Sequence, residues 1–96
     1  MPELNIRRKD EERIVAICDS ELLGKKLEEG KLKLEIKRKF YEGKEASIEE
    51  CLEAIEEATI ANLVGSIIEP AIEAGHISEE HVLTIEDVQH AQLATP

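Results

Sequence analysis

Two cysteines (Cys18 and Cys51), three histidines (His76, His81 and His90), and a run of lysine and arginine around two adjacent aromatics are the residues here with chemistry beyond packing. Cys18 lies in "ICDSELLGK", Ile17 to Lys25, where a β-branched run meets the start of a helical pattern. A thiol at a helix mouth feels the positive end of the macrodipole, which favours the nucleophilic thiolate. Asp19 works against this, because its negative charge disfavours a second anion beside it. Asp19 also has an ordinary use as an N-cap. The residues therefore favour a buried strand end running into a cap, with a reactive Cys18–Asp19 pair as the alternative.

A zinc site needs three or four converging ligands. Only His76 and His81 are closely spaced, and i, i+5 is off-register on a helix, so neither metal nor cofactor is expected. In "QHAQ", His90 and Gln92 share one face of a strand and could hydrogen-bond a ligand; an exposed edge strand is the alternative. In "ATIANLVG", Thr59 and Asn62 are three apart and share a helix face, while Gly65 permits close approach of a backbone or ligand. The competing account has the pair satisfying loop carbonyls.

The stretch "IKRKFYEGK" sets Lys37, Arg38, Lys39 and Lys44 around Phe40 and Tyr41, and Lys31 and Lys33 extend it along a strand. Bases beside aromatics suit RNA, through phosphate contacts and a stacked base. Lysines protecting a strand edge, or pairing with the acidic half of this chain or of a second copy, are the competing accounts. There is no P-loop, GxGxxG, HExxH or GxSxG.

The elements that must position these residues follow from hydrophobic period. "LNIRR" alternates as a short strand, and "RIVAIC" is the apolar run of a central one, so the two form a hairpin. "ELLGKKLEE" has Leu22, Leu23 and Leu27 at helical spacing, weakened by Gly24 and stopped by Gly30. "KLKLEIK" alternates Leu32, Leu34 and Ile36 against charge, a strand with one wet face. "FYEGKEA" is a connector. "SIEECLEAIEEA" opens with the Ser47/Glu50 capping box and places Cys51 on its apolar stripe. A second helix is expected from Ile60 to Ile72, kinked or split at Pro70. "HVLTI" and "QHAQL" are closing strands, the latter at an edge. The order β-β-α-β-α-α-β-β predicts an α+β two-layer sandwich, with helices on one face of a mostly antiparallel sheet.

Ninety-six residues suit one domain, with residues 4–93 as its compact part. The core is aliphatic, since there is one Phe, one Tyr and no Trp. Glu, Lys and Ile are rich and labile amides scarce, the balance of a thermophile protein. Two cysteines 33 positions apart, without a CxxC pair, suit a reducing cytoplasm. The opening residues lack the apolar region of a signal peptide, and no run approaches the ~18 apolar residues of a membrane span. A net charge of −10 argues against general nucleic-acid binding, and no DNA partner is expected. That charge is segregated: all twelve lysines and arginines lie between Arg7 and Lys44, and from Glu45 onward there are twelve acids and no lysine or arginine.

"VAICDSELLGK", "FYEGKEAS", "ATIANLVG" and "AIEAGHISEEHVLTIEDVQHAQL", in this order, resemble the archaeal family grouped as domain of unknown function 424, over about residues 4–93. The resemblance implies a small single-domain α/β sandwich and a role near the ribosome. Two departures from the family pattern are visible. Its Gly-Val-Pro-His-Ala-Gln-like ending has Asp87 and Gln89 here in place of Gly and Pro, and Pro70 falls where an unbroken helix is expected.

The functional expectation is a cytoplasmic, non-enzymatic interaction module linked to translation, which contacts the ribosome, RNA or a tRNA-related ribonucleoprotein through the basic stretch. The alternative is a small-ligand binder or enzyme using Cys18, Asp19, Asn62 and His90. A homodimer pairing acidic and basic regions is a further expectation.

Overall fold

The structure, a computed structural model, describes residues 1–95. β1 (Pro2–Lys9) and β2 (Glu12–Asp19) form the expected antiparallel hairpin, in register from Lys9–Glu12 to Pro2–Asp19. The helix expected over "ELLGKKLEE" does not form. A single 3-10 turn at Ser20–Leu22 leads instead into β3 (Lys26–Glu29), which pairs with β4 (Leu32–Glu35) as a separate two-stranded sheet. Gly24, at φ +82, takes a conformation a helix cannot continue through. Leu27 and Leu34 then sit directly opposite each other and face the core, a reward that helical spacing would not give.

The connector holds one helical turn, α1 (Arg38–Tyr41), and a two-residue strand, β5 (Lys44–Glu45), on the edge of β1. α2 (Ile48–Glu57) follows as expected. Ser47 accepts from the Glu50 amide at 3.1 Å, and the Glu50 carboxylate accepts from the Ser47 amide at 3.1 Å.

The expected helix from Ile60 to Ile72 is the largest correction. Ile60–Val64 is a strand, β6, and only Ile68–Glu73 is helical, as α3. β6 lies between two other strands and buries Ala61, Leu63 and Val64 across both faces. A strand apolar on both faces cannot be told from a helix by period alone. Pro70 does not kink α3, because it is the third residue, in the first turn, where its missing N–H would have had no intrahelical acceptor.

β7 (Leu83–Ile85) and β8 (Val88–Ala94) close the chain. β8 is no edge strand, since the six-stranded order is β5-β1-β2-β6-β8-β7. The β2–β6 pair is parallel and the others are antiparallel.

The protein is therefore α+β, with a mostly antiparallel sheet. α2 and α3 cover one sheet face over Val15, Ile17, Ala61, Leu63 and Ala91, with Cys51, Ile55, Ile67 and Ile68 from the helical side. The opposite face is also covered, in part. The β3–β4 hairpin and α1 pack Leu27, Ile36 and Tyr41 on Ala16, Cys18, Val64 and Ile85. No helix among the described residues is long and apolar enough to cross a membrane.

Candidate functional site

The carboxyl ends of the parallel strands β2 and β6 bring together three separated sequence segments. An open cleft of about 390 Å³ there is lined by Asp19, Glu21, Leu22, Gly65, Ser66, Asp87, Val88 and Gln89. Asp19 does not act as a side-chain cap. Its carboxylate crosses to the loop after β6, where Oδ2 accepts from the Ser66 amide at 2.9 Å and Oδ1 from the Ser66 hydroxyl. Gly65 stands at φ +88 against this carboxylate. The close approach at Gly65 is thus made by the Asp19 side chain and not, as expected, by a backbone or a ligand. Asp87 keeps the β7–β8 turn tight by adopting φ +66, with Glu86 at φ +49, so the departure from Gly at this position leaves a two-residue hairpin turn in place. The cleft contains carboxylates and no base, and both Asp19 oxygens are engaged by Ser66.

Cys18, Asn62, His90 and Gln92 all point to the sheet face opposite α2 and α3. Asn62 and Gln92 are direct cross-strand neighbours, and His90 pairs with Val64 two residues along. Cys18 is separated from His90 by Val64, a span of two strand spacings or about 10 Å. It is wholly buried, and burial pushes its thiol up to about 12, with the charges of Asp19, Glu3 and Glu21 adding to the rise. Cys51 is equally buried and pushed up to about 11, again chiefly by burial. Neither sulfur is a thiolate near neutrality, so the structure does not assemble a Cys18–His90 pair. Thr59 is not on a face with Asn62. It precedes β6 and ties it to β2, its hydroxyl accepting from the Arg13 amide at 2.8 Å and reaching Glu12 at 2.9 Å. Among the described residues, no three His, Cys, Asp or Glu side chains gather as a metal site.

His90 is half-buried, and burial holds its imidazole below the ordinary value of 6.5. The unfolded chain therefore binds the proton more readily than the folded one. Stability from this residue is complete above about pH 6.5 and falls as the pH drops through that value towards the lower folded pKa. The urea midpoint is expected to fall between pH 7.5 and 5.5, and His90→Gln to flatten that slope; an unchanged slope in the variant would remove His90 as its cause.

The basic stretch is rearranged by folding. Tyr41 is 4% exposed and belongs to the core, so it cannot stack on a base. Phe40 is half-buried, edge-on to Tyr41 at 5.1 Å, with the Arg7 guanidinium 4.9 Å over its ring. Arg7 also donates to the Lys39 carbonyl. Lys33 lies opposite Glu28 across the small hairpin, which neutralises that part of the proposed stripe. Lys31 is exposed at the hairpin turn, and Lys44 pairs with Glu50 at 3.4 Å. Lys37, Arg38 and Lys39 are exposed on one helical turn, and only Arg38 has a carboxylate within 4.0 Å among the described residues, Glu42 at 3.3 Å. Sequence reasoning missed Arg7, which only the hairpin brings beside α1.

Residues 6–95 match the family model described as "Protein of unknown function (DUF424)". The crystal structure of an uncharacterized conserved protein from Methanopyrus kandleri is similar in fold, with a TM-score of 0.76 and 26% identity, over 96% of this chain and 89% of that one. No curated protein matches the chain.

Proposed function

We infer, for a chain that belongs to the family of proteins of unknown function DUF424, a non-enzymatic interaction module that contacts ribosomal or other RNA through α1 and the adjoining end of β1. One observation carries this reading: Lys37, Arg38 and Lys39 stand exposed on a single turn, beside an Arg7 guanidinium held over Phe40. Fixed cations next to a partly exposed ring suit a phosphate backbone with an unstacked base. The acids of α2 and α3 lie on the opposite sheet face, so a polyanion approaching α1 does not meet them first. Burial of both thiols, which deprives them of nucleophilicity, also favours a binding role. The reading goes with a cytoplasmic location.

Replacing Lys37, Arg38 and Lys39 together by Glu is expected to weaken binding to single-stranded RNA by about tenfold or more at low salt, and to flatten its salt dependence. Filter binding at two salt concentrations measures both. Wild type that associates with neither RNA nor a ribosomal fraction at low salt would end this reading.

A further inference from the structure

The lower half of β8 has an unfilled edge. β7 pairs with β8 only as far as His90, because the chain before Leu83 turns away in a 3-10 turn at Glu79–His81. On its other side β8 pairs with β6 along the whole of β6, from Val64–His90 to Ile60–Ala94. The Gly65 amide donates to the Gln89 carbonyl, and the Thr95 amide to the Thr59 carbonyl. Odd-numbered residues of β8 therefore direct their backbone groups to β6, and even-numbered ones direct theirs away. Past His90, the amides and carbonyls of Gln92 and Ala94 face outward with no backbone partner among the described residues.

These groups open on a groove of about 430 Å³, whose far wall is Gly75–Ser78 and His81. Gln92 and Ala94 are exposed there. The edge lacks the charge and proline that usually protect one: Ala91 to Thr95 contains neither, in a chain that is 35% charged. The free part of the β1 edge, by contrast, carries Arg7, Arg8 and Lys9. Glu79 and Glu80, between the groove-lining Ser78 and His81, and Glu73, two residues before Gly75, are all exposed, and no lysine or arginine occurs after Lys44.

We propose that this edge binds an extended, lysine- or arginine-rich peptide segment of a partner protein as an added strand in line with β7. Backbone bonds to Gln92 and Ala94 supply the pairing, and the acidic rim selects for basic side chains. A second copy of this chain would set the acidic rims of two molecules together if the β8 edges paired, which disfavours that occupant. The site is separate from the cationic turn at Lys37–Lys39.

The test is an NMR titration of the full chain with an alternating Lys–Val octapeptide and its Glu–Val counterpart. Only the lysine peptide is expected to bind, with the Gln92 and Ala94 amides gaining exchange protection. Gln92→Pro removes an outward amide and leaves the β6 ladder intact; it should weaken binding about tenfold or more. Joint Glu79→Lys and Glu80→Lys, at exposed positions, should do the same. The Lys37, Arg38 and Lys39 triple variant should bind the peptide as wild type does, whatever its affinity for RNA. Equal binding of both peptides, undiminished binding by the Glu79/Glu80 variant, or protection of Gln92 and Ala94 that rises with protein concentration alone would overturn the proposal, the last by showing a second copy on the edge.

Discussion

Gly65→Ala is expected to lower stability by about 2–4 kcal/mol, with two separable causes. The glycine stands at φ +88, where an L-residue is strained by roughly 1 kcal/mol or more. A Cβ there would also overlap the Asp19 carboxylate, lying 3.0 Å from its Cγ and 3.2 Å from Leu22 Cδ1. The carboxylate would have to leave, releasing the Ser66 amide and hydroxyl it now holds. Hydrogen bonds to a charged group contribute about 1.5–3 kcal/mol. Urea midpoints of a double-mutant cycle with Asp19→Ala resolve the two. In the Asp19→Ala background the backbone strain and the close contact with Leu22 remain, so Gly65→Ala should cost about 1 kcal/mol or a little more there. Strict additivity would mean that the carboxylate is not what Gly65 accommodates.

The second large effect is expected at Gly43, where the problem is space and not backbone angle. A Cβ would overlap the Leu4 carbonyl oxygen and lie 2.7 Å from its carbon and 3.0 Å from Asn5 Cα. These are backbone atoms of a strand paired on its other side with β2, so no rotamer change relieves the clash. The connector must lift from β1, losing the Gly43 amide bond to Glu3 at 3.1 Å and the Asn5 side-chain bond to the Glu42 carbonyl at 2.6 Å. A loss of about 3 kcal/mol is expected. Tyr41 reports it locally, being the only tyrosine in a chain without tryptophan. Burial, with the Cys18 sulfur adding to it, pushes its phenol up to about 12. Spectrophotometric titration of Gly43→Ala should show tyrosinate near the ordinary 10 while the protein is still folded. A phenol that stays near 12 in a destabilised variant would show that α1 had not lifted.

Some of this architecture is legible from local chemistry. The Ser47/Glu50 box and the spacing of Ile48, Cys51, Leu52 and Ile55 specify α2, because cap and stripe lie within one segment. The β1–β2 hairpin is legible for the same reason: two runs of strand period flank a short polar turn. The basic stretch is visible as composition, but which of its members reach solvent is not. Tyr41 and Lys39 are two residues apart, and one is core while the other is exposed.

The sequence by itself determined the α+β class, the burial of Cys51 and the division of charge at Lys44, since each follows from residue type and local period. Tertiary structure decided what Ile60–Val64 and Lys26–Glu29 become. Those segments satisfy both periods, and the choice rests on partners distant in the chain: β2 and β8 for the first, and Leu34 with the far sheet face for the second. It also decided the role of Asp19. A carboxylate after a strand reads as a cap for the next turn. In the fold its acceptor oxygens meet stronger demand from Ser66, 47 residues away, which only the parallel pairing of β2 with β6 brings within reach.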